Sequence, residues 1–306
     1  MSKINNGIQR IKSNPFDLIN ILSVRGYFNW MPDALYLKLI YFATLNKKLN
    51  LKEPQLFNEK LQWLKLHNRN PKYTMLVDKY EVRKFVTSEV GEQYLNTSYG
   101  VWDSFDEIDF EKLPNKFVLK TTHDSGGVVI CSDKNELNLK EARKKIENSL
   151  KRNFYYVGRE WPYKNVKPRI IAEEFLSEVD GDELRDYRFF CFGGEPKFAV
   201  VDFNINDKSK TKRNIYDLNW KLIDAEISYP NNHNLELEKP KKYDEMISLS
   251  KMLSKDIPFS RIDFFYINDQ IIFGEITFFH KNGLAKITPE SFEKNMGDLI
   301  VLPNKY

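Results

Sequence analysis

The chain has 306 residues, of which 42% are apolar and 29% charged, and its formal net charge is +4. This length supplies two compact domains or one elaborate domain with a sizeable core. The net charge is modest, and the basic residues are interleaved with acidic ones, which argues against nucleic acid as a partner. Two cysteines and four scattered histidines argue against a structural zinc site.

Targeting and redox features point to one compartment. The first residues lack the apolar stretch of a secretory signal, and no run approaches the roughly 20 apolar residues that cross a bilayer. Cys131 and Cys191 stand in strand-like apolar stretches, where we expect reduced, buried thiols. We therefore predict a cytoplasmic protein with at most peripheral membrane contact.

Residues 1–75 are predicted to form a helical region without evident chemistry. Ser13-Asn14-Pro15 is a helix-start signal, and apolar periodicity predicts further helices over 35–42 and 58–66. Three aromatic residues either pack in the core, which we favour, or dock on a membrane surface or partner. They are Tyr27, Phe28 and Trp30.

From about residue 74 the pattern becomes a mixture of strands and helices. Strands are expected at 116–120, 128–131, 169–175, 186–192 and 197–203, with helices at 139–150 and 246–253. This order favours an α+β fold with antiparallel sheets over a doubly wound one. We place the three parts of the chain at residues 1–75, 76–168 and 169–306.

A hairpin over Arg261–Thr277 carries the most informative pattern. Alternation along its strands places Asp263 on a face with Arg261, and Glu275 on a face with Thr277. Two carboxylates on neighbouring strands of a covered sheet are costly unless they are paired or bind metal, and Mg²⁺ commonly takes one or two carboxylates plus phosphate oxygens. A hairpin with an unrelated surface Asp, Glu and Arg is an equally good interpretation of these residues alone.

Two further stretches suit a nucleotide. Lys120 ends a strand before Ser125-Gly126-Gly127, where glycines let backbone N–H groups approach phosphate. This is neither a Walker A loop nor a dinucleotide fingerprint, and by itself it is more often an ordinary turn. The strand end at 171–176 offers backbone groups to an adenine and carboxylates to a ribose, or is simply exposed.

Together, in this order and spacing, the motifs resemble the ATP-grasp superfamily. That superfamily has a lysine that opens the nucleotide domain and a second lysine before a glycine-bearing loop. It also has an acidic hinge and an Arg-x-Asp…Glu-x-Asn signature, and this chain has counterparts of all four features. The matching residues are Lys79, Lys120, Ser125, Gly126, Gly127, Glu173, Glu174, Phe175, Leu176, Asp186, Arg261, Asp263 and Glu275. Thr277 stands where the family has asparagine, which leaves the number of metal ions open.

A narrower resemblance, over roughly residues 50 to 302, is to the TupA-like ATP-grasp family of teichuronopeptide and other surface-polysaccharide synthesis. It is carried by seven ordered motifs: Phe57–Trp63, Val77–Tyr80, Gly100–Phe105, Lys120–Gly127, Tyr187–Gly194, Arg213–Asp217 and Phe273–Phe278. The resemblance implies two α+β subdomains that clamp ATP after a mainly helical N-terminal region.

The resemblance also implies an ATP- and Mg²⁺-dependent carboxylate–amine ligase that joins a sugar carboxylate to an amino acid or amine through an acyl phosphate. Asp263, Glu275 and Thr277 are then metal ligands, and the ten residues from Lys79 to Asp186 named above bind the nucleotide. Arg261 would stabilise the transferring phosphoryl group. Arg213 is a second clamp or a surface arginine. His123 and Asp124 orient phosphate, deprotonate the incoming amine or cap a turn.

Other interpretations stay open. Four residues suit sugar stacking and carboxylate binding, or form a packed loop: Tyr155, Tyr156, Arg159 and Trp161. A sugar phosphotransferase would use the same nucleotide site. A glycosyltransferase of the same pathway and a nucleotide-binding scaffold without turnover are further alternatives.

Overall fold

The structure is a computed structural model that describes residues 16–177, 184–204 and 209–304. Its α-helices are α1 (Asp17–Val24), α2 (Asp33–Leu45), α3 (Phe57–His67), α4 (Lys72–Val77), α5 (Val82–Glu89), α6 (Leu139–Leu150), α7 (Tyr155–Gly158), α8 (Tyr243–Leu253) and α9 (Glu290–Asp298). Its strands are β1 (Ser98–Trp102), β2 (Phe117–Thr121), β3 (Val128–Cys131), β4 (Ile170–Glu174), β5 (Asp186–Phe192), β6 (Glu195–Phe203), β7 (Lys212–Asp217), β8 (Glu226–Ile227), β9 (Phe259–Ile267), β10 (Gln270–Thr277) and β11 (Ile287–Thr288).

The first sheet has four antiparallel strands in the order β1-β4-β2-β3. Helix α6 covers one face, where Ile146 joins Leu119 and Ala172 in a shared core. Strand β4 lies beyond the boundary predicted at residue 168/169. It pairs with β1 and β2, because Ile170 and Ala172 complete the core of the first sheet.

The second sheet has five antiparallel strands in the order β10-β9-β5-β6-β7. Helix α8 packs Tyr243 against Phe189 of β5, with ring centroids 5.4 Å apart. Helix α3 packs Phe57 against Phe259 of β9 at 4.9 Å. The N-terminal helical region is thus not separate, since α3 belongs to the main core.

Helix α3 owes its start to one acidic side chain. The Glu59 carboxylate accepts hydrogen bonds from the backbone N–H groups of Gln55 at 2.9 Å and Leu56 at 3.1 Å, which satisfies donors that a helix start leaves open. Asn58, one residue earlier, donates to the carbonyl of Ala285 at 2.8 Å and to Glu293 at 2.6 Å. The motif Phe57–Trp63 therefore ties the N-terminal region to the end of the chain.

The predicted helices of the N-terminal region are present, although Ser13-Asn14-Pro15 lies outside the described residues. The prediction that Tyr27, Phe28 and Trp30 pack in the core is wrong for two of them. Tyr27 and Trp30 expose 62% and 78% of their surface, whereas Phe28 is half-buried. Within the part of the chain that the structure describes, no helix has the length and apolar character to cross a membrane.

Candidate active site

The hairpin of β9 and β10 brings the predicted metal ligands together. Glu275 lies directly opposite Asp263, and Thr277 lies opposite Arg261. Directly opposed residues of an antiparallel pair project from the same face, so the two carboxylates are neighbours. The register shifts between Phe273 and Glu275, and the bulged Gly274 allows the backbones to approach, since a Cβ there would lie 3.0 Å from the carbonyl oxygen of Asp263.

Arg261 holds this pair of carboxylates. Its Nε donates to Asp263 Oδ1 and its Nη2 to Glu275 Oε1, each at 2.7 Å, and Thr277 Oγ1 donates to the same Glu275 oxygen at 3.0 Å. Burial raises the pKa of Asp263 to about 6, although Arg261 opposes this. Burial also acts to raise the pKa of Glu275, but Arg261 and Lys79 outweigh it and lower that pKa.

These donors fit Mg²⁺. Two carboxylates and a hydroxyl present hard oxygen atoms on one face, and a divalent cation would stabilise the ionised Asp263, whose pKa burial and, to a smaller extent, the nearby Glu275 raise. Among the described residues, no cluster of three or more His, Cys, Asp or Glu side chains could hold a metal. The remaining ligands would therefore be water and phosphate oxygens, as is usual for Mg²⁺.

The predicted phosphate loop is built around a buried carboxylate. Asp124 accepts hydrogen bonds from the backbone N–H groups of Gly126 and Gly127 at 3.1 Å and from Arg152 at 2.6 Å. It also accepts from Thr121 and Ser149. Burial would raise the pKa of Asp124, but these bonds outweigh burial and lower it. The loop between β2 and β3 is thus fixed before any ligand binds.

The two loop glycines differ in what a side chain would meet, which gives a matched pair of variants. A Cβ on Gly127 would lie 2.2 Å from Thr121 Oγ1 and 2.5 Å from Ser149 Oγ, the groups that hold Asp124. A Cβ on Gly126 would meet the end of the half-exposed Arg152 side chain, which can move away. We expect Gly127→Ala to lose about 1–3 kcal/mol in urea unfolding and Gly126→Ala much less. Equal losses would contradict this description of the loop.

The two predicted lysines occupy different surroundings. Lys120 lies 2.7 Å from Glu173, which also lies 3.4 Å from Arg83 of α5. Glu173 is therefore already paired with two cations. Lys79 donates to the backbone carbonyl of Asp124, and burial lowers its pKa. Both lysines line the cleft between the two sheets.

The cleft contains a cavity of about 340 Å³ that joins the phosphate loop to the hairpin. It is lined by predicted site residues from both sheets: Lys79, Lys120, Ser125, Glu173, Asp186, Arg261, Asp263 and Glu275. A smaller cavity of about 200 Å³ continues it and is lined by the hinge residues Glu173, Glu174, Phe175 and Leu176. The structure thus brings together the residues predicted for the phosphates, the metal and the nucleoside.

Another cavity, of about 390 Å³, adjoins the 340 Å³ cavity at Arg261, and we call it the second cavity. It shares four residues with the first: Ser125, Arg188, Arg261 and Glu275. Its other charged residues include Arg213 and Lys281. Arg213 is buried, and its Nε and Nη2 donate to the two oxygens of Asp202 at 2.5 Å and 2.7 Å, so this arginine is not at the surface.

Some predicted residues lie elsewhere. Gly126, Gly127 and His123 do not line these three cavities, and the Nε2 of His123 lies 3.1 Å and 3.0 Å from the carbonyls of Ser149 and Arg152, which fits the turn-capping alternative. Arg159, of the aromatic loop, is buried, donates to the carbonyl of Phe28 at 2.8 Å and fits the packed-loop alternative.

Sequence reasoning missed several residues that line the cavities: Arg83, Glu160, Arg188, Asp202 and Lys281. One signal was present for Arg188. It alternates with Asp186 along β5, so both face the cleft, where Arg188 Nη2 lies 2.6 Å from Asp186 and its Nη1 lies 2.5 Å from Asp202. No comparable sequence signal marks Glu160 or Lys281, since each lies in a short non-strand segment.

Comparisons with known proteins were made for the family, for curated proteins and for solved structures. The model of the TupA-like ATP-grasp family matches residues 59–301. No curated protein matches. Solved structures that resemble the chain include D-alanine–D-alanine ligase from Bacillus anthracis complexed with ATP, at 15% identity over 66% of this chain and 55% of that one, with a TM-score of 0.39.

Two other ligases are similar at the same level. The ATP-grasp ligase PsnB complexed with a phosphomimetic precursor variant, Mg and ADP is 10% identical over 76% of this chain and 61% of that one, with a TM-score of 0.41. VanG D-Ala:D-Ser ligase from Enterococcus faecalis is 15% identical over 66% and 52%, also with a TM-score of 0.41. The chain spans between 52% and 61% of the length of these three structures.

The family match covers well over half of the chain and includes the hinge, the phosphate loop and the hairpin. It confirms the predicted resemblance and the ATP-grasp fold. The bond that this particular chain makes is a separate proposal. The chain belongs to the TupA-like ATP-grasp family.

Proposed function

We propose that this protein is a carboxylate–amine ligase that joins the carboxylate of a uronic acid to an amino acid or small amine during capsule or surface-polysaccharide synthesis. One observation carries the proposal. The cavity at the phosphate loop and hairpin meets a second, cationic cavity at a wall made of Ser125, Arg188, Arg261 and Glu275. A group passed from one cavity to the other would cross the position where the charges of Arg261 and the carboxylates meet.

The reaction needs two displacements. A carboxylate oxygen attacks the γ-phosphorus of ATP, the bond to ADP breaks, and an acyl phosphate forms. An amine nitrogen then attacks the acyl carbon, the C–N bond forms, and phosphate leaves with the carboxylate oxygen. Bound Mg²⁺ would neutralise charge on the transferring phosphoryl group.

Each side chain of the site would have a separate role in this reaction. Asp263, Glu275 and Thr277 would hold the metal, and Arg261 and Lys79 would stabilise the phosphoryl oxygens. Such donors lower the barrier because they are already oriented in a buried site before charge develops. Lys120 and the backbone of the loop would hold the phosphate chain.

The second cavity suits an anionic, ring-shaped substrate. Lys281 supplies positive charge in this cavity, whereas Arg213 is already paired with Asp202. Four phenylalanine and tyrosine side chains line the same cavity and provide flat apolar surface: Phe154, Tyr163, Tyr229 and Phe279. A few charged groups among aromatic walls are typical of a small-molecule site.

The test is a matrix of carboxylates and amines with ATP and Mg²⁺. Glucuronic and galacturonic acid, free and as nucleotide sugars, are combined with amino acids and small amines, and ADP and product mass are read together. The ligase predicts ADP and a product equal to sugar plus amine minus water. A phosphate-bearing sugar would instead establish a phosphotransferase, and sugar-nucleotide turnover without ATP would indicate a glycosyltransferase.

A further inference from the structure

The second cavity contains a carboxylate that the proposed chemistry has not yet used. Glu160 lies just before the short 3₁₀ helix Trp161–Asn165, and its preceding residue Arg159 has a left-handed φ of 54° that turns the chain. Only 6% of Glu160 is exposed, and it lines the cavity beside Tyr163. No residue that the structure describes donates a hydrogen bond to its side chain.

This lack of a partner distinguishes Glu160 from its neighbours. Among the described residues, the cavity is lined by three carboxylates. Asp202 is held by Arg188 and Arg213, and Glu275 is held by Arg261. Glu160 thus lines the cavity as a carboxylate that no group of the described residues holds, and a ligand in the cavity can supply the missing donor.

The positive charges of Lys65 and Arg261 partly balance the charge of Glu160, although neither side chain forms an ion pair with it. Lys65 of α3 is buried and donates at 2.8 Å to the carbonyls of both Gly158 and Asn282. Burial raises the pKa of Glu160, with Lys65 and Arg261 opposing and Glu275 adding to the rise. A carboxylate whose pKa is raised in this way is suited to accept a proton from a substrate.

We propose that Glu160 binds the ammonium group of the amine substrate and accepts its proton, which rests on the proposed ligase function. The ammonium gives one proton to Glu160, and the neutral nitrogen attacks the acyl carbon. The C–N bond forms, the acyl C–O bond breaks, and the departing phosphate takes the second proton from nitrogen. Glu160 then returns its proton to solvent. The amine is thus one that is protonated when it arrives and carries at least two N–H protons.

The proposal separates the two half-reactions, so the test uses two nucleophiles. Hydroxylamine is mostly neutral at pH 7 and needs no base, and it traps an acyl phosphate as a hydroxamate. We expect Glu160→Gln to lower amide formation with the amine found in the matrix by about a hundredfold, the lower end for general-base removal. The hydroxamate yield should fall less than threefold, and the KM for the amine should rise while that for ATP stays unchanged.

Two further variants complete the design. Glu160→Asp keeps the charge and should restore part of the amide rate, and the exposed Glu111→Gln is the matched control. Thermal melting checks that both Glu160 variants are folded before their rates are compared. Equal losses with both nucleophiles, or no loss of amide formation, would overturn the role of Glu160. Absence of hydroxamate with the wild type would instead count against the ligase itself.

Discussion

Glu275→Gln should lower ATP-dependent turnover by about a thousandfold, at the upper end of the effect of removing one electrostatic group from a preorganised site. The carboxylate lies opposite Asp263 and is one of two acidic groups able to hold Mg²⁺. Glutamine keeps an oxygen for Arg261 and Thr277 but removes a charge from the metal site. Binding of Mg²⁺–ATP should weaken together with turnover.

Stability should change much less than activity in this variant. The folded protein lowers the pKa of Glu275, because Arg261 and Lys79 outweigh burial, so the ionised form contributes stability at neutral pH. Glu275→Gln removes that contribution together with the like-charge repulsion of Asp263, so we expect a thermal unfolding temperature modestly below that of the wild type. Asp269→Asn, in the exposed turn of the same hairpin, is the matched control. Turnover of Glu275→Gln within threefold of the wild type would contradict the metal site.

Asp124→Asn should destabilise the protein by about 2–3 kcal/mol, the range for hydrogen bonds to a buried charged group. One oxygen would still accept from the loop N–H groups, but the new amide would point a donor at Ser149 or Arg152. The backbone of the phosphate loop would lose its fixed position. We therefore also expect the KM for ATP to rise by about tenfold, or about 1.4 kcal/mol, measured beside urea unfolding.

The pH dependence of this loss has a definite sign. The folded protein lowers the pKa of Asp124, so the ionised form contributes stability above its unfolded pKa of about 3.9. That contribution disappears as the pH falls through the folded pKa. The difference in unfolding free energy between wild type and Asp124→Asn should be full at pH 7 and shrink below pH 4. A difference independent of pH would show that Asp124 is not held as a carboxylate.

The hairpin shows how far sequence can lead. Alternating apolar residues and the turn at Asn268-Asp269 fix its two strands, and both turn residues adopt the left-handed conformation that a two-residue hairpin turn requires. The opposition of Asp263 and Glu275 depends on the bulge at Gly274, which the spacing in the sequence does not specify. The family resemblance supplied that pairing.

Among the described residues, four strands were not predicted: the two-residue strands β8 and β11, and the longer β1 and β7, which lie at sheet edges. Strand β1 contains Gly100, and β7 begins with Lys212-Arg213-Asn214, so neither shows a continuous apolar pattern. Edge strands are paired on one side only and need less apolar surface than central strands. The buried pair of Arg213 and Asp202 stayed hidden for the same reason, because it joins β7 to the neighbouring β6.

The second cavity was the least predictable part of the site. Its lining comes from segments far apart in the chain, including the loop with Glu160, the strand with Arg188 and the turn with Lys281. Local patterns cannot report which distant segments meet. The nucleotide site was easier to predict from the sequence because each of its motifs is contiguous in the chain.

The most direct test of the ligase follows oxygen from the carboxylate. A uronic acid labelled with ¹⁸O in its carboxyl group is incubated with ATP, Mg²⁺ and the amine that supports ADP release, and the released phosphate is analysed by mass spectrometry. An acyl phosphate predicts one ¹⁸O atom in the phosphate and an amide that retains the other. Unlabelled phosphate, or phosphate that stays on the sugar, would contradict carboxylate activation.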